Sequence, residues 1–108
     1  MPPLPEWCPV ASTLEIIGGK WTPMILFHLK DQPRRFNELR RLMPTITQRM
    51  LTLELRALEE QRVVLREVKE RVPPHVEYSL TTHGLTLAPI IEAMEHWGNA
   101  RRAAMGAG

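Results

Sequence analysis

The spacing of apolar residues along the first half of the chain predicts four helices. Pro9 to Ile17 forms the first, because Pro9 suits a first helical turn and two glycines follow the segment. A densely apolar second helix is predicted from about Trp21 to Lys30. The next two, about Phe36 to Met43 and Thr47 to Gln61, are separated by a short turn, and Thr47 is a good N-cap. Two helices joined in this way form a helix-turn-helix.

The pattern changes after the fourth helix. Val63 to Lys69 and Val76 to Leu80 are β-branched or alternating runs around a loop with two prolines, which predicts a β-hairpin. A last helix follows, with a kink at Pro89, and we expect the tail from Arg101 to fray. This order of elements is that of a winged helix-turn-helix: one mainly α domain with a small β-hairpin wing (α+β). The predicted domain is 1–108, with the helix-turn-helix at about 36–61, the wing at about 63–80 and the C-terminal dimerisation helix at about 82–98.

Composition excludes several classes of protein. The 108 residues are 44% hydrophobic and 24% charged, as in a globular domain, and no apolar run has the length of a membrane span. Met1 to Pro5 lack the basic and apolar regions of a signal peptide, so we expect a cytoplasmic protein with no membrane partner. Cys8 is the only cysteine and the four histidines are scattered, so we expect no metal site and no cofactor.

No catalytic motif is present in the sequence. There is no Gly-rich phosphate loop and no Gly-x-Ser-x-Gly elbow, so we expect that the protein is not an enzyme. A small cysteine enzyme, with Cys8 and a histidine as a nucleophile pair, is an alternative that no local pattern supports.

The net charge of +2 is unevenly distributed. Residues 33–56 carry a net +4, and every basic residue in that segment is an arginine. A local basic excess suggests a polyanionic partner, although a solvated helix face gives the same pattern.

The segment from Thr47 to Gln61 is the predicted recognition helix, which enters the DNA major groove. If its leucines at 51, 55 and 58 point inward, a polar face with Leu53 points outward. Leu53 is either a thymine contact or a residue at the edge of the core. The predicted contacts to double-stranded DNA are Arg34, Arg35, Arg40 and Arg41 for phosphates, Thr47, Gln48, Arg49, Thr52, Leu53 and Arg56 on the recognition helix, and Lys69, Arg71 and His75 on the wing.

The last helix carries an apolar seam that is too hydrophobic for a helix facing solvent. We therefore expect a homodimer formed through the terminal helices. The predicted dimer-interface residues are Leu14, Ile17, Leu87, Ile90, Ile91, Met94 and Trp97.

Cys8 lies at or next to the N-cap of the first helix. Helix N-termini stabilise thiolates, which favours a reactive thiol, while Glu6 nearby opposes this effect. A small buried side chain is the alternative interpretation, since most cysteines have that role.

Several motifs together resemble the HxlR-type regulators, a winged-helix family related to MarR. The motifs are Cys8-Pro9-Val10, Ile17-Gly18-Gly19-Lys20-Trp21, Arg35-Phe36-Asn37-Glu38-Leu39-Arg40, Ile46-Thr47-Gln48-Arg49-Met50-Leu51-Thr52, Leu55-Arg56-Ala57-Leu58-Glu59 and Val72-Pro73-Pro74-His75-Val76-Glu77-Tyr78-Ser79-Leu80-Thr81. The resemblance covers about residues 7–98. It implies a dimeric bacterial transcription factor that binds a palindromic operator.

The resemblance also implies a role for the thiol, because in several relatives the cysteine matching Cys8 senses oxidants or electrophiles such as quinones and aldehydes. Leu53 departs from the commoner polar residue of the family. Two alternatives remain: a winged helix used as a protein-interaction module, which would not need Arg49 and Arg56 on its recognition helix, and a regulator controlled by a non-covalent small ligand.

Overall fold

The computed structural model describes residues 7–106. Residues 1–6 and 107–108 lie outside the described residues, among them Met1 to Pro5 and the Glu6 considered above. The elements in chain order are α1 (Pro9–Ile17), α2 (Thr22–Leu29), β1 (Arg34–Arg35), α3 (Phe36–Leu42), α4 (Gln48–Glu60), β2 (Val64–Lys69), β3 (His75–Leu80), α5 (Thr82–Leu85) and α6 (Ala88–Ala104). The four predicted N-terminal helices and the β-hairpin are confirmed to within about two residues at each end.

Two adjacent glycines separate α1 from α2 for different reasons. Gly18 is the C-cap of α1, and a Cβ there would collide with the carbonyl oxygen of Leu14. Gly19 has φ of 91°, a left-handed conformation that other residues adopt at a cost. The predicted end of the first helix at these glycines is therefore confirmed.

The helix-turn-helix consists of α3, α4 and the five residues between them. The Thr47 hydroxyl accepts a hydrogen bond from the backbone N–H of Met50 at 3.0 Å, which confirms the predicted N-cap. The turn residues Met43 and Ile46 are buried, and they pack in the same cluster as Leu39 of α3 and Leu51 of α4. These contacts fix the second helix of the motif against the first.

The sheet has three antiparallel strands in the order β1-β3-β2. β1 is absent from the prediction, because two residues are too short to show an alternating pattern. In this strand Arg34 pairs with Tyr78 and Arg35 with Glu77. The strand therefore joins the start of α3 to the wing.

The C-terminal helix differs from its prediction. The chain forms a short α5 and a separate α6, and Pro89 lies in the first turn of α6, where it breaks no helical hydrogen bond. The predicted kink is therefore wrong. The predicted fraying from Arg101 is also wrong over residues 101–104, because α6 continues to Ala104 with basic residues in its last turn.

One hydrophobic core joins the helices to the sheet, as expected for a winged helix-turn-helix. Its buried members come from the first four helices, the hairpin strands, α6 and the connecting residues Met43, Ile46 and Val63. Within residues 7–106, every helix is too short or too polar to cross a membrane.

Candidate nucleic-acid interface

α4 has one buried side and one exposed side. Leu51, Leu55 and Leu58 are at most 3% exposed and anchor the helix in the core. The exposed side begins at the N-cap Thr47 and carries Gln48, Arg49, Leu53 and Arg56. Leu53 is 47% exposed, so it belongs to this surface rather than to the core. Thr52 is half-buried, and its hydroxyl donates to the Gln48 carbonyl at 2.9 Å.

A hydrogen bond between side chains holds α4 against α2. Thr22 is only 8% exposed, and its hydroxyl donates to a carboxylate oxygen of Glu54 at 2.9 Å. No local pattern indicates this pair, because its members are 32 positions apart and belong to different helices. The bond fixes the rotation of α4 and therefore the direction of its exposed side.

Three of the four arginines predicted to contact phosphates are exposed. Arg40 and Arg41 lie in the last turn of α3, and Arg35 immediately precedes that helix. The backbone N–H of Arg35 donates to Glu38 at 2.8 Å, which leaves the guanidinium outside the capping interaction.

Arg34 departs from the prediction. It is half-buried, and its Nε donates to the backbone carbonyl of His28 at 3.0 Å. This arginine therefore joins β1 to the end of α2, and its assignment to a phosphate is corrected.

The wing also requires a correction. Lys69 Nζ lies 3.1 Å from a carboxylate oxygen of Glu67, and His75 Nε2 lies 2.8 Å from Glu77. The hydrogen bond from His75 is the main reason that the pKa of the Glu77 carboxyl is lowered. Lys69 and His75 are half-buried and paired within the wing, so we withdraw them from the DNA-contacting set and retain the exposed Arg71.

Arg66, in the middle of β2, is absent from the predicted DNA-contacting residues. Arg66 is opposite Tyr78 of β3 and lies two residues after the buried Val64, so it is on the face of the hairpin that turns toward α4. The alternation of the strand contains this signal, but the prediction considered only residues at the wing tip. Arg66 and Arg56 line one cleft between α4 and the sheet.

A second surface, on α1 and α6, is apolar. Leu14, Ile90, Met94 and Trp97 are between 38% and 64% exposed. Met94 separates two open grooves, one of about 500 Å³ against α1 and one of about 440 Å³ against α2. We call the exposed side chains of α1 and α6 together with these grooves the apolar surface.

Two predicted interface residues lie at the buried floor of the apolar surface, Ile17 in the groove against α1 and Ile91 in the groove against α2. Ile17 and Ile91 are 5% and 3% exposed, and they pack in the core of this chain. Most of each side chain packs on α2 and its neighbours, and the contact of Ile17 and Ile91 with a partner stays a prediction. Leu87 is half-buried at the edge of the core.

Cys8 is exposed at the N-cap of α1. Its backbone carbonyl accepts from the N–H of Ser12 at 2.8 Å, while its thiol makes no capping hydrogen bond. The interpretation of Cys8 as a small buried side chain is wrong, since the thiol is accessible to reagents. Val10 and Leu14, on the same short helix, are exposed apolar residues.

His28 lies beside the groove between α2 and α6. Its ring contacts Phe27 edge-on, with 5.2 Å between the ring centroids. Burial, and then the nearby charge of Arg34, lower the pKa of His28 below its ordinary value. Residues 7–106 contain no group of three or more His, Cys, Asp or Glu side chains arranged to hold a metal ion.

Known proteins share this arrangement. The HxlR-like helix-turn-helix family matches residues 16–105. YdeP of Bacillus subtilis (strain 168), an HTH-type transcriptional regulator, is 60% identical over 93 residues, which are 86% of this chain and 73% of YdeP. YybR of the same organism, also an HTH-type transcriptional regulator, is 55% identical over 100 residues, which are 93% of this chain and 80% of YybR.

Solved structures of similar fold are also regulators. The redox regulator HypR in its oxidized form has a TM-score of 0.82 and 56% identity, covering 86% of this chain and 96% of HypR. Diamide-treated YodB from B. subtilis has a TM-score of 0.72 and 34% identity, covering 87% of this chain and 94% of YodB. The chain therefore belongs to the HxlR-like helix-turn-helix family of transcriptional regulators, which have a MarR-like winged-helix fold.

Proposed function

We propose that this transcriptional regulator binds a palindromic operator as a homodimer and places the N-terminal half of α4 in the major groove. The observation that carries the proposal is the exposed side of α4, where a glutamine and an arginine stand in the first turn on a helix anchored by three buried leucines. Glutamine pairs with adenine and arginine with guanine through two hydrogen bonds each, and Leu53 can contact a thymine methyl.

The exposed arginines of α3 supply the second part of the interface. Arg35, just before α3, and Arg40 and Arg41, in its last turn, are exposed, and we expect them to contact phosphates, which position the protein on the duplex without sequence preference. Arg71 extends this basic surface at the wing.

The apolar surface supports the homodimer. α6 has 17 residues, of which only Ile91 is buried, and its exposed side carries Met94 and Trp97. Large exposed apolar areas of this kind mark protein interfaces. A two-fold dimer presents two α4 helices, so half-sites about one DNA turn, ~34 Å, or a multiple apart are expected.

Selection from a randomised duplex library tests the DNA-binding proposal. We expect enrichment of palindromes, and a log–log dependence of affinity on salt with a slope near −5 if each protomer neutralises about three phosphates. A chain that enriches no sequence and shows no salt-dependent binding would be a protein-interaction module instead. Sedimentation at micromolar concentration that shows only monomer would contradict the homodimer.

We further propose that Cys8 is the switch of this regulator. The thiol is exposed beside the apolar surface, and the oxidized HypR and the diamide-treated YodB are among the similar structures. With a single thiol per chain, the possible products are an adduct, a mixed disulfide with a small thiol, or a bridge to Cys8 of the partner subunit. A bridge requires the two Cα atoms within about 7 Å, whereas an adduct has no such requirement, so we favour the adduct.

Modification of Cys8 would act through the dimer. A shift of α1 at the apolar surface changes the separation of the two α4 helices and moves one of them out of register with its half-site. Wild type and Cys8→Ser are treated with a quinone, and operator binding is followed. We expect a response in wild type alone, and equal responses would eliminate the thiol switch.

A non-covalent ligand is the second candidate for the signal. The groove between α2 and α6 has a volume within the range of small-molecule sites, and Met24, Phe27 and Met94 line it beside His28. A Cys8→Ser protein that still responds to the effector would favour this groove. As a DNA-binding regulator, the protein is expected to act in the cytoplasm.

A further inference from the structure

A cleft of about 620 Å³ lies between the recognition helix α4 and the wing. One wall is α4 and the other is the hairpin, so the cleft opens on the surface proposed for DNA. Two arginines, one from each wall, enter it. The residues that line the cleft are Phe36, Gln48, Thr52, Arg56, Glu59, Arg66, Val76 and Tyr78.

The strand register explains why Arg66 lies in the cleft. Cross-strand partners share a face, and Arg66 is opposite Tyr78 while Val68 is opposite Val76. On that face the first residue of β2, Val64, is buried in the core. Arg66 lies one step farther out, where the core ends and the cleft begins. The opposite face of the hairpin carries Glu67 and Glu77.

Both guanidinium groups are available to a ligand. Among the described residues, neither Arg56 nor Arg66 forms a hydrogen bond or ion pair with another group of the chain. Glu59 is the single acidic side chain in the lining, so the cleft carries a net charge of about +1. The two guanidinium groups are unpaired and lie on facing walls, so a single oxyanion between them can accept hydrogen bonds from both.

Arg56 is also too far along α4 to share the role of Arg49. It follows Gln48 by eight positions, which is about 12 Å along the helix axis. Recognition helices contact base edges mainly with their N-terminal residues. The position of Arg56, two turns later and beside the wing, suits the DNA backbone better than the groove floor.

We propose that this cleft binds a phosphate of the DNA backbone between Arg56 and Arg66. Arg66 is then a DNA-contacting residue, and Arg56 contacts the backbone while Arg49 contacts a base. This proposal rests on the proposed function, because it names a subsite of the same interface. The clamp connects α4 and the wing through one phosphate and so fixes how the wing sits on the duplex.

The test measures binding of Arg66→Ala to a random-sequence duplex over a range of salt concentrations. We expect affinity at low salt to fall about tenfold, and the log–log slope to become less steep by about two for the dimer, because one phosphate contact per protomer is lost. Leu65→Ala, on the opposite face of the same strand, is the matched control and should bind like wild type. An unchanged slope in Arg66→Ala would overturn the phosphate assignment.

Two further variants test the charge balance of the cleft. Arg66→Lys keeps the charge and should recover the slope, although it loses the two-donor geometry. Glu59→Gln removes the opposing carboxylate and should tighten binding to random DNA a few-fold. Weaker binding by Glu59→Gln would contradict the proposal, and this outcome does not depend on the folding of the Arg66 variants.

The outcomes separate this proposal from the broader one. If wild type does not bind DNA at low salt, both proposals fail. If wild type binds and Arg66→Ala binds equally well, only the cleft assignment fails. A titration with inorganic phosphate in the absence of DNA, followed by the NMR signal of Arg66 Nε–H, tests whether the cleft is instead a site for free phosphate. Saturation of this signal below millimolar phosphate would overturn the assignment to DNA.

Discussion

The recognition helix α4 and the C-terminal helix α6 face solvent in opposite ways. α4 buries three leucines within 13 residues, and its exposed side is mostly polar and basic. α6 buries only Ile91 within 17 residues, and its exposed side includes Met94 and Trp97. α4 is held by its own chain and presents charge, whereas α6 presents the apolar groups that a globular chain normally buries.

This difference indicates which kind of partner each helix requires. An arginine side chain is well solvated when free and binds an anion through charge, so α4 is complete without its ligand. Trp97 on α6 is 64% exposed, with the Arg101 guanidinium 5.7 Å from the centre of its ring, so we expect a second apolar surface to cover α6. We therefore expect substitutions in α4 to affect either folding or DNA binding, and substitutions on the exposed side of α6 to affect assembly.

The largest effect is expected at Leu51, on the buried side of α4. Leu51 is 0% exposed, so Leu51→Ala removes buried contacts and leaves a cavity, which costs about 2–5 kcal/mol of unfolding free energy. Leu53→Ala, two residues away and 47% exposed, is the control and should change stability by less than about 0.5 kcal/mol. Urea denaturation measures both variants, and similar losses would show that the two sides of α4 do not differ.

Met94→Glu tests whether the apolar surface forms the dimer interface. The residue is 44% exposed in the single chain, so the charge is tolerated there, but in a dimer it would be buried without a partner. We expect dimerisation to weaken by about 3 kcal/mol, about a hundredfold, with little change in the secondary structure of the protomer. Analytical ultracentrifugation checks the expectation, with Glu92→Gln, on the same helix, as a control.

Arg49 and Arg41 represent the two roles expected of the exposed arginines, contact with a base and contact with a phosphate. Arg49→Ala should cost about 1–3 kcal/mol on the selected operator and relax the preference at one base pair. Arg41→Ala should weaken binding to operator and random duplexes by equal factors, because a phosphate contact carries no sequence information. Fluorescence anisotropy with both duplexes measures the ratio. Equal losses on the two duplexes for Arg49→Ala would contradict its role as a base contact.

The two helices also end differently. α6 is followed by Gly106 with φ of 71°, whereas α4 is followed by Arg62 with φ of 61°. A left-handed conformation is unfavourable for arginine, so Arg62→Gly should stabilise the fold by about 0.5–1 kcal/mol. Gly106→Ala should have the opposite sign. Thermal unfolding of the two variants provides the measurement, and a destabilised Arg62→Gly would contradict the argument.

The smallest effect is a pH dependence from His28, beside the groove of α6. Its pKa is lowered in the fold, so the unfolded chain binds the proton more readily and stability falls as pH drops below about 6.5. His28→Gln should lose this part of the pH dependence, which lies below about pH 7. His83→Gln, which replaces an exposed histidine of α5, is the control. Equal slopes for wild type and His28→Gln would refute the expectation.

Most of the local structure follows from the order of the residues. Helix periods, the Thr47 N-cap, the glycines after α1 and the two strands of the hairpin depend on neighbouring residues, and these were predicted correctly. The exposed side of α4 was predicted from the helical spacing of its leucines, because buried leucines on one side leave the other side to the solvent. Local patterns succeed here because capping and amphipathicity act within a few residues.

The packing of the helices and strands determines which side chains are buried, paired or exposed. Ile17 and Ile91 have the spacing of an interface but pack in the core, because other helices cover them. Arg34 and His75 are basic residues held by the carbonyl of His28, six residues earlier, and by the carboxylate of Glu77, two residues later. Arg66 meets Arg56 only because the hairpin folds back beside α4. Which side chains remain free for a ligand depends on how the helices and strands pack and on which polar groups then meet, and the period of apolar residues does not contain that information.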